Sequence, residues 1–207
     1  MSLLSVEELS VTFTARGRKD ATAVDGVSFE VDQGQVVGLV GESGCGKSVT
    51  SLALMGLLPR KGVRVGGRAE FDGQNLLTMN ERKLRDLRGS QLAMIFQDPL
   101  SSLNPVVPIG IQVTEILQRH RGMKGEKARK EAASLLDRVG IPDPDRRLKE
   151  YPHQLSGGMR QRALIAMAVA CAPRLLIADQ PPPALAVTLQ APIPARRYVA
   201  GAQGGAR

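Results

Sequence analysis

The residues from Gly41 to Ser48 have the composition needed to bind phosphate groups. Their sequence, Gly-Glu-Ser-Gly-Cys-Gly-Lys-Ser, fits the pattern G-x-x-x-x-G-K-[ST], in which a glycine-rich backbone wraps around phosphate oxygens. In such a loop Lys47 would reach the β- and γ-phosphates, and the Ser48 hydroxyl would bind Mg²⁺. The pattern therefore predicts a site for a nucleoside triphosphate and Mg²⁺, formed by Gly41, Ser43, Gly44, Cys45, Gly46, Lys47 and Ser48.

The segments on both sides of this loop are of the kinds that a phosphate-binding loop requires. Gln35 to Val40 is a short apolar, β-branched run that predicts a buried strand. Val49 to Leu58 has the composition of a helix, and Pro59 ends it. A helix that starts at the loop directs its N–H groups and favourable dipole at the phosphates. A chance glycine-rich turn is the alternative, and the flanking elements argue against it.

The rest of the chain predicts a mixed α/β domain with enough apolar residues to bury a core. The chain has 207 residues, of which 43% are hydrophobic and 3% aromatic, so we expect one sizeable domain or part of a larger one. No apolar run reaches the roughly 18 residues of a membrane span, and the N-terminus lacks the pattern of a secretion signal. Further strands are predicted at about 3–13, 23–31, 68–71, 92–96 and 175–179, and further helices at about 113–120, 126–139 and 159–171.

The charge of the chain limits its expected binding partners, and its cysteine content indicates the redox state of its compartment. The net charge of +8 suits nucleic acid, an anionic membrane face or nucleotide phosphates. The basic residues are scattered over predicted polar helix faces, so a solvated surface is the favoured interpretation and we expect no nucleic-acid partner. Two cysteines, Cys45 and Cys171, do not make a disulfide framework, so we expect two free thiols in a reducing compartment.

A second glycine-containing motif, Leu155 to Arg162, has the sequence Leu-Ser-Gly-Gly-Met-Arg-Gln-Arg. Its serine and two glycines open a predicted helix and offer a hydroxyl, N–H groups and a helix dipole to an anion. A helix start with only a capping role is the alternative. The motif resembles the LSGGQ-type signature of ABC-transporter ATPases, which closes on ATP held by the phosphate loop of another subunit. The resemblance implies a head-to-tail dimer in which Ser156, Gly157 and Gly158 contact the nucleotide.

Three further segments extend the resemblance. Met94 to Pro105 is similar to the family's Q-loop, where Gln97 would have a catalytic role in contact with Mg²⁺ and the attacking water. Its Asp-Pro-Leu-Ser-Ser-Leu-Asn-Pro form is characteristic of the di- and oligopeptide importer branch, as is Tyr-Pro-His-Gln at 151–154. Asp179, at the end of an apolar strand, would hold Mg²⁺ opposite Ser48. Phe13 takes the place of the aromatic residue that stacks on adenine, and an ordinary core Phe is the alternative.

The resemblance runs from about Leu3 to Gln190 and implies a fold. We expect an α/β P-loop NTPase core with a mostly parallel sheet, an antiparallel β subdomain and a helical subdomain at about 99–160, as in ABC ATPases. We expect residues 1–190 to form an incomplete nucleotide-binding domain that lacks the final strands of the family's sheet.

The resemblance also implies partners and a location. The expected partners are ABC permease subunits in the membrane, a second ATP-binding subunit and, indirectly, an extracytoplasmic solute-binding protein. The chain would lie peripherally on the cytoplasmic face of the inner membrane and couple ATP to di- or oligopeptide uptake. Nickel and glutathione importers carry closely similar sequences, so the transported substrate stays open.

Residues 179–186 depart from the family pattern Asp-Glu-Pro-Thr-Thr-Ala-Leu-Asp. Gln180 stands where the family has the glutamate that polarises the attacking water, and an amide cannot accept the proton. Ala186 replaces an aspartate that links the two sites of the dimer. His120 and His153 both precede Asp179, so neither can act as the family's switch histidine. The resemblance implies membership of an ATPase family. We expect this chain itself to hydrolyse ATP weakly or not at all, because Gln180 occupies the catalytic position.

After residue 194 the resemblance ends in an Ala/Gly/Arg-rich segment, and we expect 191–207 to be an aberrant, disordered tail. Each substitution at 180–186 relative to the family pattern can arise from a single base change that introduces a cytosine into the codon. A damaged coding end, with a frame change near Ala195, is one interpretation, and an evolved inactive subunit is the other.

Three functions stay open on the sequence. The first is the importer ATPase, and the second is an ATP-binding module that does not hydrolyse and works beside an active partner. The third is a soluble ABC ATPase that acts on DNA or ribosomes. The importer-type Q-loop, and the lack of a second cassette or a coiled-coil insertion in this sequence, argue against the third.

Overall fold

The computed structural model describes residues 2–14, 17, 19–96, 102–179 and 198–203, the last segment by its backbone alone. The chain divides into two compact units. The first unit is Met1–Arg88 with Arg197–Arg207, and the second is Gly89–Arg196. Each unit is built around its own paired strands, and each carries a different part of the predicted nucleotide site.

An antiparallel sheet dominates the first unit. It contains β1 (Ser2–Phe13), β2 (Ala21–Asp32), β4 (Val63–Phe71) and β5 (Gln74–Asn75), in the order β2-β1-β4-β5. The central strand β1 is paired along most of its length on both sides. The predicted antiparallel β subdomain is therefore confirmed, with β4 beginning earlier than the sequence indicated.

A bulge in β1 keeps its apolar side chains in the core. Leu4 and Val6 are buried, and after the bulge Leu9 and Val11 are buried instead of residues 8 and 10. The pairing register shifts here against both neighbouring strands, and Glu8 adopts a left-handed conformation with φ 48°. One extra residue reverses the alternation of faces, so the bulge restores the burial of the apolar positions that follow it.

A second strand pair in the first unit leads into the phosphate loop. Strand β3 (Val36–Gly41) precedes the loop, and helix α1 (Lys47–Leu54) follows it, as the sequence predicts. The helix ends at Leu54 rather than Leu58, because Gly56 takes a left-handed conformation with φ 60° and stops it. The strand–loop–helix order that the phosphate pattern requires is present.

Strand β8 (Tyr198–Gln203) pairs in parallel with β3, from Val36 opposite Tyr198 to Gly41 opposite Gln203. These residues fall inside the segment 191–207 for which the sequence predicts a disordered tail. Pairing satisfies backbone N–H and C=O groups along one edge of β3, which gives the segment a physical reason to be extended there. The other residues of that predicted tail lie outside the described part of the chain.

Helix α2 (Glu81–Leu87) lies just before the end of the first segment of the first unit, Met1–Arg88, and the sequence did not predict it. Asn80 caps it, since its side-chain oxygen accepts a hydrogen bond of 2.9 Å from the Lys83 N–H. Glu81 places an acidic group in the first turn, where the helix dipole favours it. An Asn followed by an acidic first turn is a sequence signal for a helix start that could have located α2.

The second unit combines a parallel strand pair with helices. Strands β6 (Leu92–Ile95) and β7 (Leu175–Ala178) pair in parallel, in register from Leu92 opposite Leu175 to Ile95 opposite Ala178. Between them in sequence lie the helices α3 (Ile109–Arg121), α4 (Gly125–Arg138), α5 (Pro144–Arg147) and α6 (Gly157–Val169), with a short 3₁₀ turn at Pro152–Gln154. The predicted α/β class is confirmed. None of the helices in the described ranges is long and apolar enough to span a bilayer.

Helical spacing explains how the helices of the second unit pack. The buried residues of α3 include Ile109, Val113 and Leu117, which recur every four residues and form one face. Arg121, at the end of α3, donates to the Glu131 carboxylate of α4 at 2.7 Å and to the Ala170 carbonyl after α6 at 3.2 Å. Apolar packing and this three-way contact hold the three longest helices together.

We predict that the exposed face of β3 limits solubility. Val36 and Val40 share one face of the strand and are 62% and 72% exposed. The double substitution Val36→Thr/Val40→Thr keeps β-branched side chains, so the strand should persist while apolar exposure falls. We expect lower binding of the dye ANS and a higher salt concentration for precipitation, with little change in the free energy of unfolding.

The matched control is Val31→Thr in β2, where the side chain is 0% exposed. Burying a hydroxyl there should lower the free energy of unfolding by about 1–3 kcal/mol, without the gain in solubility. Equal solubility of the double variant and the parent chain would contradict the prediction.

Candidate functional site

The phosphate loop is shaped by two glycines in left-handed conformations. Gly44 has φ 85° and Gly46 has φ 92°. A Cβ at Gly46 would overlap the backbone carbonyl oxygen of Ala23 in β2, so the loop can approach β2 only with glycine there. The pattern at 41–48 predicted the need for glycine, but nothing in the sequence indicated that Ala23 would be the neighbouring group.

Lys47 lies folded across the loop. Its Nζ donates hydrogen bonds of 2.7 Å to the carbonyl oxygens of Gly41 and Glu42, and it lies 3.5 Å from the Cys45 Sγ. These contacts fix the ammonium at the mouth of the loop among backbone dipoles. Phosphate oxygens are stronger acceptors for an ammonium than neutral carbonyls, so this position suits a lysine that binds an anion.

The N-terminus of α1 is suited to bind an anion. Gly46 is its N-cap residue, and within the described residues no side-chain hydrogen bond caps this end of the helix. The first turn contains no acidic residue that would compete with a negatively charged ligand. The first N–H groups of a helix have no partner within the helix, and the dipole gives this end partial positive charge. Because α1 starts directly after the loop, both features favour an anion at the same place.

The oxygen donors at the predicted metal positions fit Mg²⁺. Ser48 is half-buried in the first turn of α1 and offers a hydroxyl. Asp179 follows β7 and is 8% exposed, and its N–H donates to the Ile95 carbonyl of β6 at 3.0 Å. Hydroxyl and carboxylate oxygens are ligands that Mg²⁺ accepts, the carboxylate often through water. Ser48 would hold the ion in the first unit, and Asp179 belongs to the second unit.

Ser156 caps the start of α6. Its Oγ accepts a hydrogen bond of 3.3 Å from the Met159 N–H, which confirms the capping role that the motif allows. Gly157 and Gly158 are exposed, and a Cβ at either would meet no atom within 4 Å. Arg162, one turn further, donates to the Gly140 carbonyl at 2.6 Å and so attaches this end of α6 to the end of α4. The helix start is therefore fixed, and its two glycines present an open backbone surface.

Phe13 lies at the end of β1, opposite Ala21 of β2 and Val63 of β4. Its side chain is half-buried, so one part of the ring is available for contact. This position is compatible both with stacking on a base and with an ordinary strand residue, and the stacking role stays a prediction.

Only part of the predicted site is brought together within one unit. Residues 41–48 form one continuous loop and helix start in the first unit. The start of α6 and Asp179 belong to the second unit. Gln97, Gln180 and Ala186 lie outside the described residues, so their catalytic roles stay predictions.

Both cysteines are free thiols, as predicted. Cys45 is exposed in the phosphate loop, and Cys171 is partly buried after α6. Burial raises the pKa of the Cys171 thiol, and the nearby Arg121 guanidinium opposes this to a smaller extent. Cys171 is therefore a neutral thiol near pH 7 and a poor nucleophile.

Comparison with known proteins gives a family model and close relatives. A model described as "ABC transporter" matches residues 24–182. The chain is 53% identical over 195 residues to the dipeptide transport ATP-binding protein DppD of Escherichia coli (strain K12), covering 93% of this chain and 59% of that protein. It is 51% identical over 191 residues to the oligopeptide transport ATP-binding protein OppD of Salmonella typhimurium, covering 92% and 57%. The chain thus spans less than two thirds of the length of these curated relatives.

A solved structure supports the same assignment of fold. The dimeric structure of a post-hydrolysis state of the ATP-binding cassette MJ0796, bound to ADP and Pi, superimposes with a TM-score of 0.82 at 25% identity. The match covers 96% of this chain and 87% of that one. The predicted ABC ATPase fold class is confirmed.

We predict that the two left-handed glycines of the loop differ in their tolerance of a side chain. Gly44→Ala meets no atom and should cost about 1–2 kcal/mol of unfolding free energy from its backbone conformation alone. Gly46→Ala adds overlap with the Ala23 carbonyl and should cost about 1–3 kcal/mol more. Urea denaturation of both variants measures the difference, and equal losses would show that the loop does not pack on β2 in this way.

We also predict a measurable contribution from the cap of α6. Ser156→Ala leaves the Met159 N–H without its acceptor and should lower the free energy of unfolding by about 1 kcal/mol. Ser156→Asp supplies another acceptor and a favourable charge at the helix N-terminus, so it should retain most of the stability. Chemical denaturation of the three chains tests this, and a loss of equal size in both variants would argue against capping.

Proposed function

This chain belongs to the ABC transporter family, and we propose that it is the ATP-binding subunit of an importer for di- or oligopeptides. The observation that carries the proposal is the phosphate loop: an uncapped helix N-terminus, a lysine held at the loop mouth and a glycine that permits close packing on β2. Together these groups provide the N–H donors and positive charge that bind the phosphates of ATP.

The substrate class is supported by the named relatives and by a short segment of the sequence. The relatives described above are named as dipeptide and oligopeptide transport ATP-binding proteins. The sequence from Asp98 to Pro105 has the form characteristic of that branch of the family. The peptide itself would be bound elsewhere, by the permease and an extracytoplasmic binding protein.

The chain's own groups have distinct tasks in the proposed reaction. Lys47 and the first N–H groups of α1 bind the β- and γ-phosphates, and the Phe13 ring stacks on the base. Ser48 and Asp179 would hold Mg²⁺, which balances phosphate charge when bound. Gln97 orients the attacking water toward the γ-phosphate. Catalysis of this kind depends on positioning and on electrostatic stabilisation of the transferring group.

We further propose that the chain works as a dimer on the cytoplasmic face of the membrane, bound to permease subunits. The cassette MJ0796 is described as a dimer in its solved structures. In this chain the exposed backbone of Gly157 and Gly158, at a helix start fixed by Ser156 and Arg162, is suited to contact ATP held by a second subunit.

The second candidate function is an ATP-binding module that hydrolyses ATP slowly or not at all. Gln180 favours it, because an amide has the shape of a carboxylic acid but cannot take a proton from the attacking water. Loss of general-base help lowers rates by roughly 10²–10⁴-fold. ATP binding does not depend on this group, so binding and hydrolysis can be separated by experiment.

We predict that Gln180→Glu raises the rate of ATP hydrolysis by roughly 10²-fold, because a carboxylate can accept the proton of the attacking water. This is the lower end of the range for general-base catalysis, since Ala186 still replaces the aspartate that links the two sites of the dimer. The Kd for Mg·ATP should stay within about twofold, because residue 180 serves the water rather than the phosphates. Phosphate release and a titration with ATP measure the two quantities.

Lys47→Ala, alone and combined with Gln180→Glu, is the control and should abolish both binding and hydrolysis. An unchanged rate in Gln180→Glu, with binding intact, would favour the non-hydrolysing module. Absence of ATP binding in the parent chain would contradict both functions.

A further inference from the structure

Only some of the carbonyl groups at the C-terminal end of α1 accept hydrogen bonds from the helix's own backbone. The Gly56 N–H donates to the Ala53 carbonyl at 2.9 Å, and the Leu57 N–H donates to the Leu52 carbonyl at 2.8 Å. With Gly56 at φ 60°, this is the Schellman arrangement that ends many helices. The carbonyl groups of Met55 and Gly56 extend beyond it and need other donors.

Arg88 supplies those donors from outside the helix. Its Nε donates to the Met55 carbonyl at 2.7 Å, and its Nη2 donates to the Gly56 carbonyl at 2.8 Å. The side chain is only 19% exposed, and its bond to the Met55 carbonyl is partly buried. Helix α1 has no basic residue in its last turn, and the guanidinium therefore provides positive charge at the negative end of its dipole.

Glu81 holds the guanidinium in place. Its Oε1 accepts from Arg88 Nη1 at 2.8 Å, and its Oε2 accepts from Arg60 Nη2 at 3.0 Å. The hydrogen bond from Arg88 is the main reason that the pKa of the Glu81 carboxyl lies below its usual value. The carboxylate is therefore ionised at neutral pH and orients Arg88 toward α1.

Gly56 permits this approach of α2 to α1. A Cβ at Gly56 would overlap the buried Leu84 of α2 and come within 3.1 Å of Arg88 Nη2. The end of α1 is thus fixed by the guanidinium on its carbonyls and by Leu84 against its terminal glycine. Both contacts come from α2 and from the residue that follows it, and neither belongs to the phosphate-binding pattern.

We propose that Arg88 is a positioning residue for ATP binding: by fixing the carbonyl end of α1, it orients the N–H groups at the other end toward the phosphates. The inference rests on the proposed ATP-binding function. Helix α1 has only eight residues, so a change at one end is transmitted directly to the other. Arg88 does not contact the nucleotide and acts through α1.

The test compares the Kd for Mg·ATP in the full chain and in Arg88 variants by calorimetry, at temperatures well below unfolding. Arg88→Ala removes both bonds to α1, and we expect the Kd to rise about tenfold. Arg88→Lys keeps the charge but not the planar set of donors, so an intermediate loss is expected. Glu81→Gln keeps Arg88 but weakens its orientation, and we expect a rise of about threefold.

Two control variants separate positioning from general loss of stability. Arg85→Ala changes an exposed basic residue in the last turn of α2, three residues before Arg88, and should leave the Kd unchanged. Leu4→Ala removes a fully buried side chain of β1 in the same unit, and it should lower the melting temperature without a comparable rise in Kd.

The possible outcomes distinguish this inference from the function on which it rests. A parent chain that does not bind ATP would contradict the proposed function, and the inference with it. A parent chain that binds, with Arg88→Ala and Arg88→Lys unchanged in Kd, would overturn the inference alone. A rise in Kd for Leu4→Ala as large as that for Arg88→Ala, at the same loss of melting temperature, would also overturn it. If Arg88→Ala does not fold, the Kd values of Arg88→Lys and Glu81→Gln test the inference, and unchanged values in both would overturn it.

Discussion

The close approach of Gly46 to the Ala23 carbonyl of β2 is the contact on which the proposed nucleotide site depends. Only a residue without Cβ fits there, and only a glycine adopts its left-handed backbone without strain. Because Gly46 is also the N-cap of α1, the same contact fixes where the helix starts and where its first N–H groups point. A loop that looks like a local sequence pattern is therefore held by a strand that lies outside the pattern.

The opposite end of α1 is held in a complementary way. Arg88 places positive charge at the carbonyl end, and Gly46 begins the N-terminal end without a side-chain capping hydrogen bond. The N–H groups at the start of α1 are thus available to an anion, whereas the carbonyl groups at its end already accept hydrogen bonds from Arg88. This arrangement uses α2, a helix whose first turn is stabilised by Asn80 and whose last residues lead to Arg88. The phosphate loop is local in sequence, but its support comes from two further elements of the first unit.

Much of this organisation could be predicted, and the failures have identifiable causes. The strands β1, β3, β6 and β7 follow from apolar and β-branched runs, because burial selects those residues. The length of α1 could not be predicted from composition, since Leu57 and Leu58 suit a helix and only the backbone of Gly56 ends it. Apolar periodicity does not predict helix α2, because its seven residues bury only Leu84. Strand β8 depends on pairing with a distant strand, which no local pattern encodes. At the site, the types and order of residues 41–48 were sufficient to predict the loop, whereas the contacts with Ala23 and Arg88 are tertiary.

We propose that this chain binds ATP through the phosphate loop. Calorimetric titration of the purified chain with Mg·ATP, and separately with adenosine, is the sharpest test of this binding. The loop would recognise the phosphate groups of the ligand, so we expect one ATP site per chain and binding of adenosine that is weaker by at least about a hundredfold. Equal affinity for ATP and adenosine, or no heat of binding with either, would contradict it.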